Sequence, residues 1–291
     1  MSRVLVVGDV VDDVLVRPLG RTAVASDTAA QIEQQPGGSA ANVAAWLGSV
    51  RAQVGFVGRA GTEGVRRHAD ALTAAGVDAR IVADPQRRTA TIVLLVDAAG
   101  ERTMFVDRGA NASLSAADVA DACWEGVGWL HLTGYSFFCA QTRPAALELL
   151  VRARERGVHV SVDPSSAGFL EQAGRDFLGW IAGVDLLVPN ADEARVLTGV
   201  RDPEGAARML LAYVPEVVVT CGADGAVRVA ADDVVRQAAE PVRVLDTTGA
   251  GDAFCAGLLD ARARGLHVRQ QLQRGADLAA RCVSRLGARP S

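Results

Sequence analysis

Apolar runs and polar breaks alternate along this chain with two different periods. Arg3-Val4-Leu5-Val6-Val7-Gly8 is a continuous apolar run ending in a turn, the pattern of a buried strand. Residues 40–47 follow the pair Gly37-Gly38 as a helix, residues 53–57 read as a second strand and 64–75 as a second helix. Residues 89–96 are β-branched and apolar, Ala98-Ala99-Gly100-Glu101 supplies a turn, and residues 102–106 return, which predicts a hairpin. From residue 115 onward, helix-like stretches at 143–156, 192–197 and 205–211 alternate with short apolar strands at 129–132, 159–162, 186–188 and 217–220. A strand pair at 226–229 and 234–237 follows, and a last strand-like run, 242–245, leads into a helix at 253–263.

This order predicts an α/β fold, a three-layer αβα sandwich around a mainly parallel sheet with helices on both faces. Two β-rich pieces, 11–35 and 81–111, fit that alternation poorly and are expected to form one small discontinuous lid. The core is then 1–10, 36–80 and 112–291. Exposed strand edges on such a lid commonly pair, so a homodimer through the lid is expected.

Composition narrows the chemistry. The chain has 291 residues, 49% of them hydrophobic, enough for one large core with a small appended unit. A formal charge of −4 gives no electrostatic reason to expect nucleic acid as a partner. No apolar run approaches the ~20 residues of a membrane-spanning helix. The first apolar run is cut by Asp9, unlike a signal peptide. Five scattered cysteines without metal-ligand spacing read as reduced thiols, so a cytoplasmic location is expected. All 30 basic residues are arginine. A P-loop lysine and a Schiff-base lysine are therefore excluded, and phosphate charge must be met by backbone amides, arginine or metal ions.

The stretch Asp246-Thr247-Thr248-Gly249-Ala250-Gly251-Asp252-Ala253-Phe254 carries the most specific chemistry. A Gly-Ala-Gly turn at a helix entrance converges backbone N–H groups on one point, at the positive end of the helix dipole. Asp252 stands where a carboxylate can take a proton from a hydroxyl. Anion cradle and base together suggest phosphoryl transfer to an alcohol. The plainer alternative is a helix N-cap behind ordinary turn glycines.

The whole nonapeptide resembles the second signature of the PfkB, or ribokinase-like, family of carbohydrate and nucleoside kinases. Pro36-Gly37-Gly38-Ser39-Ala40-Ala41-Asn42-Val43-Ala44, with Gly55 to Gly61 further on, resembles the first. The resemblance runs in order from Gly8 to Gly287. One departure is Thr62, with Glu63 beside it, where the family commonly places an acidic residue after the last glycine.

The resemblance implies a kinase that phosphorylates a sugar hydroxyl with MgATP. Asp252 would be its base, and Gly249, Ala250 and Gly251 its anion hole. Gly37, Gly38 and Asn42 would approach and bond the sugar. Asp13, five residues after Gly8, would accept two substrate hydroxyls, although Asp12 beside it is a rival for the inward position. Asn190 and Glu193 in Asn-Ala-Asp-Glu would position Mg²⁺, unless they are only a capping box. Thr220, Gly222 and Gly225 would line the nucleotide. Residues 279–288 would cover the adenine, with Ala276 where many members carry Asn or His. Asp246 would serve a monovalent cation such as K⁺. Arg108 would read a carboxylate or phosphate on the substrate only if it points inward, the condition for a sugar-acid kinase. A nucleoside kinase would need an aromatic clamp, for which Tyr135, Phe137 and Phe138 are the candidates in a chain only 4% aromatic. His131 reads as a core histidine. Outside enzymes, a sugar or nucleotide sensor is the alternative.

Overall fold

The computed structural model describes residues 1–96, 102–231 and 233–290, so the turn expected at 98–101 lies outside the described residues. Among these residues thirteen strands form two sheets. They are β1 (Arg3–Val7), β2 (Val11–Pro18), β3 (Ala30–Gly37), β4 (Val54–Gly61), β5 (Asp78–Asp84), β6 (Ala90–Val96), β7 (Arg102–Asp107), β8 (Val127–Thr133), β9 (His159–Asp163), β10 (Leu186–Leu187), β11 (Glu216–Thr220), β12 (Ala226–Ala230) and β13 (Asp233–Gln237). The large sheet has nine strands in the order β13-β12-β11-β10-β9-β8-β1-β4-β5. Every neighbour pair from β11 to β5 is parallel. Only β12 and β13 enter antiparallel, as a closing meander.

Ten helices complete the layers: α1 (Ser39–Ser49), α2 (Val65–Ala74), α3 (Tyr135–Phe138), α4 (Arg143–Glu155), α5 (Ala167–Ala173), α6 (Asp176–Trp180), α7 (Ala191–Thr198), α8 (Pro203–Leu210), α9 (Ala250–Ala263) and α10 (Val268–Val283), as counted among the described residues. Strand periodicity divides them between two cores. Val4 and Val6 of β1 pack with Trp46 of α1, Leu258 of α9 and Leu278 of α10. Leu5 and Val7 of the same strand face Leu149 of α4, Phe177 of α6 and Leu210 of α8. A strand buried on both faces reads as an unbroken apolar run, as β1 does.

The second sheet has four strands in the order β3-β2-β6-β7. β2 and β6, far apart in sequence, pair in parallel and join the two insertions. Residues 81–84, inside the second expected lid piece, instead finish β5 at the edge of the large sheet. At the foot of the small sheet, Asp12 is ion-paired with Arg67, and His68 Nε2 lies 3.0 Å from Asp12 Oδ1.

The run 242–245 is not a strand. Val242, Val244 and Leu245 are exposed, and the Leu245 N–H donates to the Val283 carbonyl at the end of α10 (2.7 Å). The physical reason is topological. β13 ends at one edge of the sheet, whereas α9 packs on α1, β1 and β8 in the middle. The intervening chain must cross over the top and cannot pair in the sheet.

Candidate active site

The crossing segment ends in the turn before α9. Gly249 caps the helix with φ of 77°, a left-handed conformation that favours glycine. A Cβ there would also lie 2.7 Å from that of Ala288. The Ala250 N–H donates to the Thr247 carbonyl at 3.2 Å, so this amide is already engaged. The next amides, of Gly251 and Asp252, have no carbonyl four residues back inside the helix. Residues 249–252 all line a cavity of about 340 Å³.

Asp252 is not the helix cap, since that place is taken by Gly249. Its carboxylate accepts from Ser39 Oγ (2.7 Å) and from Asn42 Nδ2 (2.9 Å), both on α1. Burial raises its pKa to about 8, with the charges of Asp163 and Asp9 adding to the rise and the two hydrogen bonds opposing it. Asp252 also lines a second cavity, of about 450 Å³, on the other side. It stands in the wall between the two.

The larger cavity lies under the small sheet. Asp13 lines it, whereas Asp12 points to the opposite side of β2, where it meets α2. Alternation along a strand separates these neighbours. No hydrogen bond reaches the Asp13 carboxylate among the described residues. Its pKa is raised to about 6 by burial, against the pull of Arg289. Gly37 makes room for it, because a Cβ there would lie 2.0 Å from Asp13 Oδ2. Gly38 and Asn42 also line this cavity. The Asn42 amide is engaged at both ends, donating to Asp252 and accepting from Arg289 Nε (2.9 Å).

Ile92, Leu94, Met104 and Val106 of the small sheet form an apolar wall, completed by Phe169 of α5. Phe169 stacks on Phe138, with centroids 5.5 Å apart. Tyr135 reaches both cavities, but Phe137 is fully buried in the core. Arg108 lines the larger cavity while donating to the Tyr135 carbonyl (3.2 Å), its guanidinium 5.3 Å from the Phe169 ring centroid. His131 is fully buried in β8, with Nδ1 2.9 Å from Ser161 Oγ.

The smaller cavity is lined by Asp163, Asn190, Glu193 and Thr220 as well as the turn. Asn190 and Glu193 do form a capping box at the start of α7: Asn190 Oδ1 accepts from Glu193 N, and Glu193 Oε2 from Asn190 N, both at 2.9 Å. Asp163, at the carboxyl end of β9, was not singled out from the sequence. Its signal was a carboxylate ending a buried strand, where open α/β sheets bind ligands. Burial raises both Asp163 and Glu193 to about 7, and each is raised further by a neighbouring carboxylate. Among the described residues, none that lines this cavity is basic.

Thr220 is joined to the Asn190 loop by its N–H, which donates to the Pro189 carbonyl at 2.9 Å. Gly222 and Gly225 follow in the turn between β11 and β12. Asp246 binds the turn before α9 to the tail: Oδ1 accepts from Thr248 N and Oγ1, and Oδ2 from Gly287 N at 3.1 Å. A third cavity, of about 320 Å³, lies between Val242 and the end of α10, at Ala280, Arg281, Ser284 and Arg285.

Known proteins share this architecture. The chain is 31% identical to a fructokinase of Escherichia coli, over 97% of its own length and 92% of the relative's. A ribokinase of Arabidopsis thaliana solved with ribose and ATP superposes with a TM-score of 0.84 at 24% identity, covering 99% of this chain and 94% of that one. A provisional ribokinase II of Escherichia coli solved with ATP and Mg²⁺ gives 0.84 at 22% identity, with coverage of 99% and 94%. The fold is thus the ribokinase-like αβα sandwich. The family profile described as "pfkB family carbohydrate kinase" matches residues 1–291, and with the fructokinase identity it establishes that this chain belongs to the pfkB family of carbohydrate kinases.

Proposed function

We propose that this kinase transfers the γ-phosphoryl group of MgATP to a hydroxyl of a sugar or sugar derivative, with Asp252 as the base. The observation that carries the reading is the place of Asp252 in the wall shared by the two cavities. An acceptor in the larger cavity and a triphosphate in the smaller one would meet there. Asp252 takes the hydroxyl proton as the acceptor oxygen bonds to phosphorus and the bond to the β-phosphate oxygen breaks. The amides of Gly249, Gly251 and Asp252, at the positive end of α9, would meet the charge that develops on the transferring group, while that of Ala250 holds the turn through Thr247. Asp13, whose carboxylate has no hydrogen bond among the described residues, would accept substrate hydroxyls. Thr220, Gly222 and Gly225 would flank the nucleotide, and the cavity beside Val242 would take its adenine.

Mg²⁺ fits the smaller cavity on charge, since Asp163, Glu193 and Asp252 line it with no basic residue to balance them. No ready-made cluster of three such ligands occurs among the described residues. That suits an ion that keeps several waters and takes phosphate oxygens. Asn190 and Glu193, with Asp163, would hold it, and when bound it would neutralise phosphate charge. Asp246 has both oxygens on protein donors, so no step is assigned to K⁺.

The apolar wall and Phe169 favour a second reading, an acceptor that carries an apolar or planar substituent, as nucleosides do. Arg108, bonded to a carbonyl and lying against Phe169, has less to offer a sugar acid. A coupled ADP-release assay with D-fructose, D-ribose, adenosine and 2-keto-3-deoxygluconate separates these readings. ADP release that no acceptor raises above the rate of ATP alone counts against the proposal.

Two further features support accessory proposals. Exposed Ile32 on β3 and Met104 and Phe105 on β7 flank the open edges of the small sheet, which supports lid-to-lid dimerisation; a monomer in light scattering removes it. All five cysteines are free thiols, in keeping with a reducing, cytoplasmic compartment.

A further inference from the structure

Gly287 and Ala288 end the 279–288 segment, and Arg289 follows it. Residues 287–289 of this tail pack behind the site, against the turn at Gly249, α1 and the end of β3. The Ala288 carbonyl accepts from Trp46 Nε1 on α1 (2.8 Å), and the Gly287 N–H donates to Asp246 (3.1 Å). These anchors deliver the Arg289 side chain between α1 and the end of β3. There Nε donates to Asn42 Oδ1 (2.9 Å) and Nη2 to the Gly37 carbonyl (2.6 Å). Nη1 is buried with no hydrogen-bond partner among the described residues. The carboxylates of Asp13, Asp9 and Asp252 all act on its charge.

A side-chain amide has one accepting end and one donating end, whereas a guanidinium only donates. With Arg289 on Oδ1, Asn42 is left to present Nδ2 to Asp252, as observed at 2.9 Å. Turned over, the amide would set donor against donor at Arg289 and acceptor against acceptor at Asp252. We infer that Arg289 is a positioning residue, which orients Asn42 and through it aims the Asp252 carboxylate between the two cavities. By holding the Gly37 carbonyl as well, the same guanidinium ties the base to the turn beside the acceptor. This inference rests on the reading of Asp252 as base.

The test uses the full chain, MgATP and the best acceptor among D-fructose, D-ribose and adenosine. Arg289→Met keeps the apolar stem and removes the donors; Arg289→Lys keeps a single charged donor nitrogen in place of the three-nitrogen fork. Arg289→Met is expected to lower kcat by about 10–100-fold with the KM for ATP within about twofold, and Arg289→Lys to recover part of the loss. In a chain already carrying Asn42→Ala, Arg289→Met should cost less than about a further twofold, because the path is already cut. Losses that multiply in the double variant, or an unchanged kcat in Arg289→Met, overturn the inference. Full turnover by Asp252→Asn overturns the base reading instead. If Arg289→Met does not fold, the same cycle is run with Arg289→Lys. If no acceptor is turned over, a crystal structure of the Arg289 variant decides: an Asn42–Asp252 bond unchanged from 2.9 Å defeats the inference, and a turned or displaced amide supports it.

Discussion

The two cavities that meet at Asp252 are similar in size and opposite in character. The one under the small sheet has an apolar wall built from Ile92, Leu94, Met104 and Val106, with Asp9, Asp13, Asp107 and Arg108 as well as Asp252 among its other lining residues. The other has no lining residue from the small sheet and is made from strand ends and helix starts, with three carboxylates and no basic residue. The first is shared between the small sheet and the αβα sandwich, whereas the second is lined by the sandwich. Chemistry common to many acceptors belongs on the rigid scaffold, and selection of the acceptor belongs on the appended sheet.

The largest effect is expected at the shared wall. Asp252→Asn removes the proton acceptor while keeping nearly the same shape. General-base catalysis is typically worth ~10²–10⁴-fold, so kcat should fall by about that range. The KM values for both substrates should change little. Helix capping is not at stake, because Gly249 holds that position. Steady-state kinetics on the best acceptor checks this. Near-normal turnover would make Asp252 a structural carboxylate and leave the two cavities chemically unconnected.

The next effect belongs to the polar cavity alone. Glu193→Gln and Asp163→Asn are each expected to lower kcat by about 10–100-fold and to raise the Mg²⁺ concentration for half-maximal rate. A glutamine at 193 still completes the capping box, so thermal stability should hold. Loss of stability with unchanged Mg²⁺ dependence would reduce Glu193 to a capping residue.

The polar cavity was the more readable of the two from sequence. Its residues sit on short motifs at strand ends, where a glycine turn or an Asn-x-x-Glu spacing carries its own physical meaning. Asn190, Glu193, Thr220 and the 249–252 turn duly line one space. Asp163 escaped notice because a single carboxylate after an apolar strand has no spacing to mark it. The acceptor cavity was less readable, since its wall depends on how β2 and β6 pair, as Val11 does with Ala90, far apart in the sequence. No local pattern encodes that register, so Phe169 and the apolar wall came only with the structure. The run 242–245 misled because exposed apolar residues over a cavity resemble a strand. The role of Arg289 depended on the course of the tail across α1, which periodicity does not report.

A smaller effect tests the acceptor side. Asp13→Ala should raise the acceptor KM by about 10–150-fold, since a hydrogen bond to a charged group contributes ~1.5–3 kcal/mol. The KM for ATP should not follow. Asp12→Ala should instead lower the melting temperature through loss of the Arg67 and His68 contacts, with acceptor KM little changed. The reverse outcome would exchange the two positions.

The smallest effect is in stability against pH, and it separates the cavities without any substrate. Asp252 is raised to about 8, and Asp163 and Glu193 to about 7. In the unfolded chain such groups titrate near ~4. From about pH 4 up to these raised values the native state therefore holds more protons than the unfolded one, so stability falls as pH rises. His68, with its pKa lowered by burial, acts in the opposite sense but below its ordinary range, so the window from pH 7 to 8.5 excludes it. Buried thiols act in the same sense near the top of the window, which is why a variant must isolate the carboxylate. One extra proton held over one pH unit corresponds to about 1.4 kcal/mol. For a chain of this size that is about 2–4 °C in melting temperature. Asp252→Asn should flatten this decline measurably in differential scanning calorimetry of the ligand-free protein. Asp13, raised only to about 6, contributes little above pH 7, so Asp13→Ala should leave the slope as it is. Equal slopes in all three proteins would mean that the carboxylate in the shared wall is charged throughout, and that burial there does not govern its protonation.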